Sequence, residues 1–310
     1  MAVTGATGFI GRALCRRLTD LGIPVRALVR SSTGAQRQKE QQRDLPSGVT
    51  RIRGSLSDPD ALAELVRDAR VVIHCAGAVR GADRAAFDAV NVDGTAALID
   101  ALIDAGTGPA PAARLVLVST LAARAPQLSD YAASKRAAEA LLTAGLPFDH
   151  CILRPTAVYG PGDVELQPLL TTMARGLAPI PGHPDHRVTL IHVDDLVDAL
   201  IAAATSAPGP GPFELADDRD DGYRWPELAA AVSARSGRRV RLLPVPAAVL
   251  VGLGRVNRRL ARALGRAPML TPGKARELLH PDWSCDTRPF RRTTGWAPEH
   301  DLTAGLATVL

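Results

Sequence analysis

The feature that most constrains the fold is a glycine-rich turn at the start of the chain, Thr4-Gly5-Ala6-Thr7-Gly8-Phe9-Ile10-Gly11. It lies between a short apolar run, residues 1–3, and a segment with apolar residues at helical spacing, so it predicts a strand, a tight turn and a helix start. Gly5 permits the turn, Gly8 lets backbone N–H groups approach a phosphate, and Gly11 lets the helix pack closely on the sheet. The helix dipole would face that anion. The turn therefore predicts a pyrophosphate site, although three glycines can also serve backbone geometry alone.

Further apolar runs alternate with helical segments along the first half of the chain. They lie at residues 25–29, 49–52, 71–73, 115–118 and 151–153. The runs are continuous rather than alternating, which is typical of parallel strands covered on both faces. The pattern predicts an α/β protein with a doubly wound parallel sheet, a Rossmann fold.

The alternation of apolar runs and helical segments becomes irregular after Pro155, and this change suggests that the chain is divided into two parts. Residues 1–160 are predicted to form a dinucleotide-binding domain that is completed by about 188–207. Residues 161–187 and 208–310, with a helix near 164–177, are predicted to form a smaller substrate-binding lobe, and a strand near 188–192 is predicted in the segment that completes the first domain. A small-molecule substrate is expected in the cleft between them.

Composition narrows the class of protein. The 310 residues carry a net charge of +5, which suits an anionic cofactor but is too modest and scattered to indicate nucleic acid. No apolar run is long enough to predict a membrane span, and no secretory signal is recognised, so a cytoplasmic location is expected. The four cysteines form no CxxC pair, and neither a disulfide framework nor a metal site is predicted.

One segment, residues 245–264, combines apolar side chains with several arginines. Such a helix can lie on a membrane surface or line an apolar pocket. The favoured interpretation is an ordinary amphipathic helix with a solvated arginine face.

Tyr131 and Lys135 are the candidate catalytic pair. They are four residues apart and share one face if the segment is helical. An ammonium beside the phenol would lower the tyrosine pKa toward neutrality, where general acid catalysis is efficient. The strand upstream ends at Ser119 and Thr120, at the carboxyl edge of the predicted sheet, where open α/β folds place their sites.

At this point the chain resembles the extended short-chain dehydrogenase/reductase family, also called the NAD-dependent epimerase/dehydratase family. The resemblance covers nearly the whole chain. Seven motifs carry it: residues 4–11, His74-Cys75-Ala76-Gly77, Asn91-Val92-Asp93-Gly94-Thr95, Tyr131-Ala132-Ala133-Ser134-Lys135, Leu153-Arg154-Pro155 with Val158-Tyr159-Gly160-Pro161-Gly162, Ile191-His192-Val193-Asp194-Asp195, and Gly295-Trp296-Ala297-Pro298.

The resemblance implies a role for each candidate catalytic residue. Tyr131 would be the general acid/base, and Lys135 would lower its pKa and hydrogen-bond the nicotinamide ribose. Thr120, or alternatively Ser119, would hydrogen-bond the substrate oxygen. Asn91 would steady the lysine through water. Related enzymes are often dimers through the helices that bear Asn91 and Tyr131, so a homodimer is expected.

The resemblance also implies the residues that border the cofactor. Serine at position 55 stands where the family commonly has aspartate beside the adenine, which weakens the expectation of that contact. His74 is expected to be structural. The cofactor-binding candidates are Gly5, Thr7, Gly8, Phe9, Ile10, Gly11, Arg30, Ser31, Ser55, Leu56, Cys75, Ala76, Gly77, Lys135, Pro155 and Val158.

The type of cofactor is argued from the end of the second predicted strand. A site for NAD places Asp or Glu there, to accept hydrogen bonds from the ribose 2′-hydroxyl. This chain has Arg30 followed by Ser31. A guanidinium favours a 2′-phosphate through charge-assisted hydrogen bonds, so NADP(H) is predicted over NAD. The alternative is an arginine that stacks on adenine or faces solvent.

Three functions remain open. The first is an NADP(H)-dependent oxidoreductase acting on a carbonyl or secondary alcohol, similar to dihydroflavonol reductases and 3β-hydroxysteroid dehydrogenases. The second is a nucleotide-sugar epimerase or dehydratase with tightly held NAD, and the third is a catalytically silent nucleotide-binding scaffold or sensor. Arg30 favours the NADP(H)-dependent oxidoreductase. Thr120 is followed by leucine, so the Thr-Asp-Glu pattern of dehydratases is absent, and this also favours the oxidoreductase. Retention of Tyr131 and Lys135 argues against the third.

Overall fold

The computed structural model describes residues 1–30, 45–106, 113–142, 145–264 and 267–310. In the first half, strands and helices alternate: β1 (Ala2–Thr4), α1 (Phe9–Asp20), β2 (Val25–Val29), β3 (Val49–Arg53), α2 (Pro59–Val66), β4 (Val71–His74), α3 (Arg84–Asn91), α4 (Asp93–Gly106), β5 (Arg114–Val118), two short 3₁₀ helices (Leu121–Arg124 and Pro126–Leu128), α5 (Asp130–Leu141) and β6 (His150–Pro155).

The second half is less regular. Its elements are β7 (Ala157–Tyr159), α6 (Gln167–Ala174), β8 (Leu177–Pro181), β9 (Arg187–Val188), β10 (Leu190–His192), α7 (Val193–Ser206), β11 (Phe213–Leu215), β12 (Tyr223–Arg224), α8 (Trp225–Ser236), β13 (Arg241–Val245), α9 (Ala247–Ala263), α10 (Pro272–Leu279), α11 (Arg288–Thr294) and α12 (Leu302–Ala307).

The central sheet has seven parallel strands in the order β11-β6-β5-β4-β1-β2-β3. Along the chain, the strand order reverses between β1 and β4. In open α/β sheets ligands bind outside the carboxyl ends of the strands at such a reversal. The predicted α/β class and doubly wound parallel sheet are confirmed.

Helices cover both faces of the sheet, and successive strand residues enter different cores. In β5, Leu115 and Leu117 pack with α2 and α4, whereas Val116 and Val118 pack with α1 and α7. All four side chains are buried. Because neither face meets solvent, an alternating polar pattern is absent from this strand.

Two helix starts follow directly from capping side chains. The Asp58 carboxylate accepts a hydrogen bond from the Ala61 N–H at 3.1 Å, and Pro59 begins α2. The Ser129 hydroxyl accepts from the Ala132 N–H at 2.9 Å and begins α5. Satisfying these unpaired N–H groups fixes where each helix begins.

The smaller lobe has a core of its own, which includes Tyr159, Leu170, Met173 and Trp225. Its boundary differs from the division that the sequence predicts. Residues 213–215 form the seventh strand of the central sheet, next to β6, rather than part of the lobe. A run of three residues beside prolines and glycines is too short for a sequence pattern to assign.

Two predicted elements of the second half of the chain are also shorter than expected. The helix near 164–177 occupies Gln167–Ala174. The strand near 188–192 is divided into β9 and β10 at Thr189, whose hydroxyl donates to the Trp283 carbonyl at 2.7 Å.

Among the described residues, no helix has both the length and the apolar character needed to cross a bilayer.

Candidate active site

The glycine turn joins β1 to α1 at the reversal of strand order. Gly5 has φ +67°, and a Cβ there would lie 2.5 Å from the Ala76 backbone nitrogen. A Cβ on Gly11 would collide with the Gly5 carbonyl oxygen. The turn thus packs tightly against the segment after β4, and neither position accepts a side chain without moving backbone.

The N-terminus of α1 faces outward from this turn. Gly8 is its N-cap residue, no side chain caps the helix, and its first turn contains no acidic residue. Thr7, Phe9 and Ile10 are only half-buried. Unsatisfied N–H groups and the positive end of the helix dipole are therefore available to an anion.

Arg12 brings a positive charge to the same turn, and the sequence analysis missed it. Its guanidinium donates to the Thr7 carbonyl at 3.0 Å, and a Cβ on Gly162 would lie 3.4 Å from its Nη2 atom. Its position directly after Gly11, the third glycine of the motif, could have indicated a positive charge at the turn.

The segment after β4 faces the glycine turn. The Ala76 N–H donates to the Thr4 hydroxyl at 3.3 Å, and Cys75 and Gly77 flank this residue. Burial raises the pKa of the Cys75 thiol. His74 contacts the Thr4 and Thr95 hydroxyls at 2.6 and 3.1 Å, and burial lowers its pKa to about 3. A neutral imidazole bonded at both nitrogens is structural.

The carboxyl ends of β2 and β3 carry the residues expected near the adenosine. Arg30 directly follows β2 and is exposed, whereas Ser31 lies outside the described residues. The Ser55 hydroxyl is 2.9 Å from that of Ser57. Leu56 packs against α4, where a Cβ on Gly94 would lie 2.6 Å from its Cδ1 atom.

The structure separates the two hydroxyl candidates at the end of β5. Ser119 is buried and donates to the Glu139 carboxylate at 2.5 Å. Thr120 accepts from the Ala122 N–H at 3.3 Å, and its hydroxyl is close enough to the Tyr131 phenol to lower the pKa of that phenol. Thr120, rather than Ser119, is therefore next to the candidate acid.

Tyr131 lies in the first turn of α5, half-buried, with its ring centroid 5.9 Å from that of Phe87. Burial raises the pKa of Tyr131 above the ordinary value, the Glu277 carboxylate raises it further, and the nearby Thr120 hydroxyl lowers it. The direction is opposite to the one that the tyrosine–lysine spacing predicts. That expectation considered the charge of Lys135 and omitted desolvation, which is the larger effect here.

Lys135 lies one helical turn after Tyr131 and is buried. Its ammonium donates to the Val118 carbonyl at 2.7 Å. Burial lowers its pKa to about 8, although the Glu139 carboxylate acts in the opposite direction. A Cβ on Gly77 would lie 3.7 Å from the lysine Nζ atom, so the segment after β4 passes close to this ammonium.

The Asn91 side chain forms hydrogen bonds with the backbone of Ala78 and with the Ser134 side chain. It accepts from the Ala78 N–H at 2.7 Å, and donates to the Ala78 carbonyl at 3.1 Å and to the Ser134 hydroxyl at 2.8 Å. These bonds hold the segment after Gly77 against α5. Asn91 thus fixes the spacing between two walls of the site.

Pro155 and Val158 follow the same edge of the sheet. Pro155 ends β6 and is buried, and the half-buried Val158 lies in β7 and packs on the core between the sheet and α1. Pro155 ends the strand next to β5, which Ser119 and Thr120 follow, because β6 is the neighbour of β5.

Two acidic residues near the site were missed by the sequence analysis. Glu139 forms a buried ion pair with Arg154, with a nitrogen–oxygen distance of 2.5 Å. Glu277, from α10, accepts a hydrogen bond from the Ser129 hydroxyl and is 5% exposed. Glu277 is 148 residues from Ser129, and no local pattern indicates such a contact.

Comparison with known proteins is consistent with this geometry. The sequence model of the family described as the NAD dependent epimerase/dehydratase family matches residues 1–216. The chain belongs to this family.

Its similar relatives include named reductases. The chain is 39% identical over 291 residues to a ceramide reductase of Caulobacter vibrioides, covering 94% of this chain and 87% of that protein. It is 32% identical over 337 residues to a 2-alkyl-3-oxoalkanoate reductase of Stenotrophomonas maltophilia, covering 98% and 96%. The family member is therefore an oxidoreductase enzyme.

Solved structures share the fold at lower identity. The crystal structure of gox2253 has a TM-score of 0.74 and 24% identity, covering 99% of this chain and 96% of that one. The structure of MoeE5 in complex with UDP-glucose and NAD has a TM-score of 0.71, also at 24% identity, with the same coverage. Both show the Rossmann-like fold of this family.

Proposed function

We propose that this family member is an NADPH-dependent ketoreductase that reduces a carbonyl group on a substrate with alkyl chains. The observation that carries the proposal is the phenol of Tyr131, next to the Thr120 hydroxyl and one helical turn from the buried Lys135. A proton donor, a second hydroxyl and a cation at the carboxyl edge of a Rossmann sheet suit the reduction of a carbonyl.

The residues at this edge fit a dinucleotide. The uncapped N-terminus of α1 and Arg12 would hold the pyrophosphate, and the absence of a side chain at Gly77 would leave room beside the Lys135 ammonium. Cys75, Ala76, Pro155 and Val158 would border the nicotinamide half. Ser55 and Leu56 would lie toward the adenine.

The exposed Arg30 is our basis for NADPH rather than NADH. Its guanidinium follows β2, which is adjacent to the strand that enters the glycine turn. A planar guanidinium makes charge-assisted, bidentate hydrogen bonds to a phosphate, whereas a 2′-hydroxyl would leave its charge unmatched.

Side chains of the protein would donate the proton and orient the carbonyl oxygen of the substrate. When bound, the reduced nicotinamide supplies a hydride to the carbonyl carbon. The Tyr131 phenol donates its proton to the carbonyl oxygen, and the Thr120 hydroxyl orients that oxygen. The Lys135 ammonium stabilises the phenolate that Tyr131 becomes. The raised pKa of Tyr131 keeps the phenol protonated at neutral pH, as a proton donor requires.

The substrate class follows from the relatives' names. A ceramide and a 2-alkyl-3-oxoalkanoate both carry alkyl chains, and the second has a carbonyl at carbon 3. We infer that the ketone of a lipid-like molecule is reduced to a secondary alcohol.

The pH dependence of the reaction follows from Lys135. Because burial lowers its pKa to about 8, the ammonium is present below that pH and is lost as the pH rises through it. We expect kcat/KM for reduction to be constant near neutrality and to fall on the alkaline side. Lys135→Arg stays charged throughout, so any activity that it retains should lack this fall. A wild-type profile that stays level through two pH units above neutrality would contradict the role of Lys135.

The function is tested by measuring NADPH consumption with a panel of long-chain ketones that includes a 2-alkyl-3-oxoalkanoate. UDP-glucose with NAD is the comparison, followed by chromatography of the sugar nucleotide. We expect ketone-dependent consumption of NADPH and no conversion of UDP-glucose. If the sugar nucleotide is epimerised and no NADPH is consumed, the protein is an epimerase and the ketoreductase proposal is wrong.

Arg30→Asp tests the cofactor assignment in the same assay. Removing a charge-assisted pair and adding a carboxylate should lower the preference for NADPH over NADH by roughly 10- to 100-fold. The exposed Arg67→Asp is a control with the same change of charge. Equal effects of the two substitutions would refute a contact between Arg30 and the 2′-phosphate.

A further inference from the structure

Helix α9 presents an apolar stripe to solvent. Val249, Leu253, Val256 and Leu260, with Leu264 just after the helix, have exposed fractions of 49%, 53%, 55%, 59% and 65%. At about 100° per residue these positions fall in a sector of about 80° on one side of the helix. We call these five residues the α9 stripe. Exposed aliphatic side chains in one continuous row mark an interaction surface rather than the scattered apolar residues of an ordinary protein surface.

The stripe is fixed in its outward orientation because another side of α9 is packed. Gly254 is buried, and a Cβ there would lie 2.8 Å from the Thr271 carbonyl carbon. The Asn257 amide donates to the Leu270 carbonyl at 2.9 Å. These contacts hold α9 against the segment that leads into α10. The predicted solvated arginine face is present, since Arg255 and Arg259 are exposed. The apolar side that an ordinary amphipathic helix would bury is exposed as well.

The segment of the chain that contains the stripe carries charge of one sign. Residues 228–276 contain 11 arginines and lysines and no aspartate or glutamate, whereas the rest of the chain has 26 basic and 32 acidic residues. On α9, Arg255 and Arg259 are exposed and Arg258 is half-buried. Within the described residues, none of the three forms an ion pair with an acidic side chain. At about 100° per residue, Arg259 lies about 60° from the edge of the stripe, and Arg255 and Arg258 lie farther round the helix.

We propose that the α9 stripe docks this protein onto the surface of an anionic phospholipid bilayer. Aliphatic side chains would enter the boundary between headgroups and acyl chains, and the arginines would extend to the phosphates. The positive charge of the arginines is complementary to the negative charge of the phospholipid surface, which favours a bilayer over other partners. A second copy of the chain would bring the same positive region against itself, which is repulsive. Nucleic acid accounts for the arginines but leaves five aliphatic side chains in water.

One helix separates the α9 stripe from the start of the helix that carries Tyr131. Helix α10 packs against α9 and also reaches the start of α5, where Arg276 donates to the Leu128 carbonyl at 2.8 Å and Glu277 accepts from Ser129. Tyr131 follows Ser129 by two residues. The bilayer contact itself does not depend on the proposed reaction, because its test measures binding and not turnover.

The experiment is flotation of the full chain with vesicles. One set contains equal parts phosphatidylglycerol and phosphatidylcholine, and the other contains phosphatidylcholine alone. We expect the wild-type protein to float with the anionic vesicles, to bind the neutral ones at least about tenfold more weakly, and to lose affinity as salt is added.

Substitutions in the stripe, compared with matched substitutions elsewhere on the surface, show whether vesicle binding depends on the stripe itself. Leu253→Gln/Leu260→Gln should lower binding by about tenfold or more, and Arg255→Gln/Arg259→Gln by roughly tenfold. Leu21→Gln/Val79→Gln and Arg67→Gln/Arg70→Gln make matched changes at exposed positions elsewhere and should bind as the wild type does. All substituted side chains are exposed, so each variant should keep the wild-type unfolding temperature.

Three results would overturn the proposal. The first is wild-type protein that stays with the unbound fraction in both vesicle sets. The second is a wild-type dimer, measured by light scattering, that the paired leucine variant converts to a monomer, which would assign the stripe to a second copy. The third is vesicle binding that duplex DNA abolishes and that the paired leucine substitution leaves unchanged, which would assign the region to nucleic acid.

Discussion

Replacing Tyr131 with phenylalanine is expected to lower kcat for ketone reduction by a factor of about 10² to 10⁴, the usual contribution of a positioned general acid. The substitution removes only the phenolic oxygen. The ring keeps its contact with Phe87, at a centroid distance of 5.9 Å, and the first turn of α5 keeps its Ser129 cap. NADPH affinity should therefore be unchanged when it is measured by titration of protein fluorescence.

Tyr159→Phe is the matched control for this substitution. The Tyr159 side chain is buried in the core of the smaller lobe, and its hydroxyl has no hydrogen-bond partner in the part of the chain that the structure describes. Its removal should leave kcat as it is. Wild-type turnover by Tyr131→Phe, or equal losses in the two variants, would show that another group supplies the proton.

The sequence predicts the features of this protein that are local. The strand at residues 115–118 is legible because both of its faces are covered, and its apolar run is therefore continuous. The close fit of Gly5 and Gly11 in the turn follows from a motif of eight residues. The starts of α2 and α5 are local features too, because the capping side chains of Asp58 and Ser129 act within three residues of themselves.

Features that depend on distant residues are not predicted. The pKa of Tyr131 is raised by burial and by Glu277, which α10 brings from far along the chain, and the tyrosine–lysine spacing contains neither contribution. The choice between Ser119 and Thr120 depends on Glu139, which removes Ser119 from the site. The outward direction of the α9 stripe depends on which side of the helix Thr271 covers. Periodicity alone does not distinguish a packed apolar face from an exposed one.

The buried Glu139–Arg154 pair gives the largest expected effect on stability. Both side chains are under a tenth exposed. Arg154 donates to Glu139 through Nε at 2.8 Å and through Nη2 at 2.5 Å, and Ser119 donates to the same carboxylate. Arg154→Met should lower the free energy of unfolding by about 3–5 kcal/mol, because it removes the buried partner of this carboxylate and leaves it an ion pair with the exposed Arg136. Urea unfolding followed by circular dichroism measures this loss.

A double-mutant cycle separates the pair from the loss of side-chain packing. Glu139→Leu leaves Arg154 uncompensated, whereas Glu139→Leu/Arg154→Met removes both charges from the core and should cost less than either single substitution. Arg17→Met, which breaks the exposed pair with Asp198, should cost about 1 kcal/mol or less. Additive single losses would mean that the two charges do not stabilise one another. Because the Glu139 carboxylate raises the pKa of Lys135, its removal should also move the alkaline fall of kcat/KM to lower pH, which links this buried pair to the candidate site.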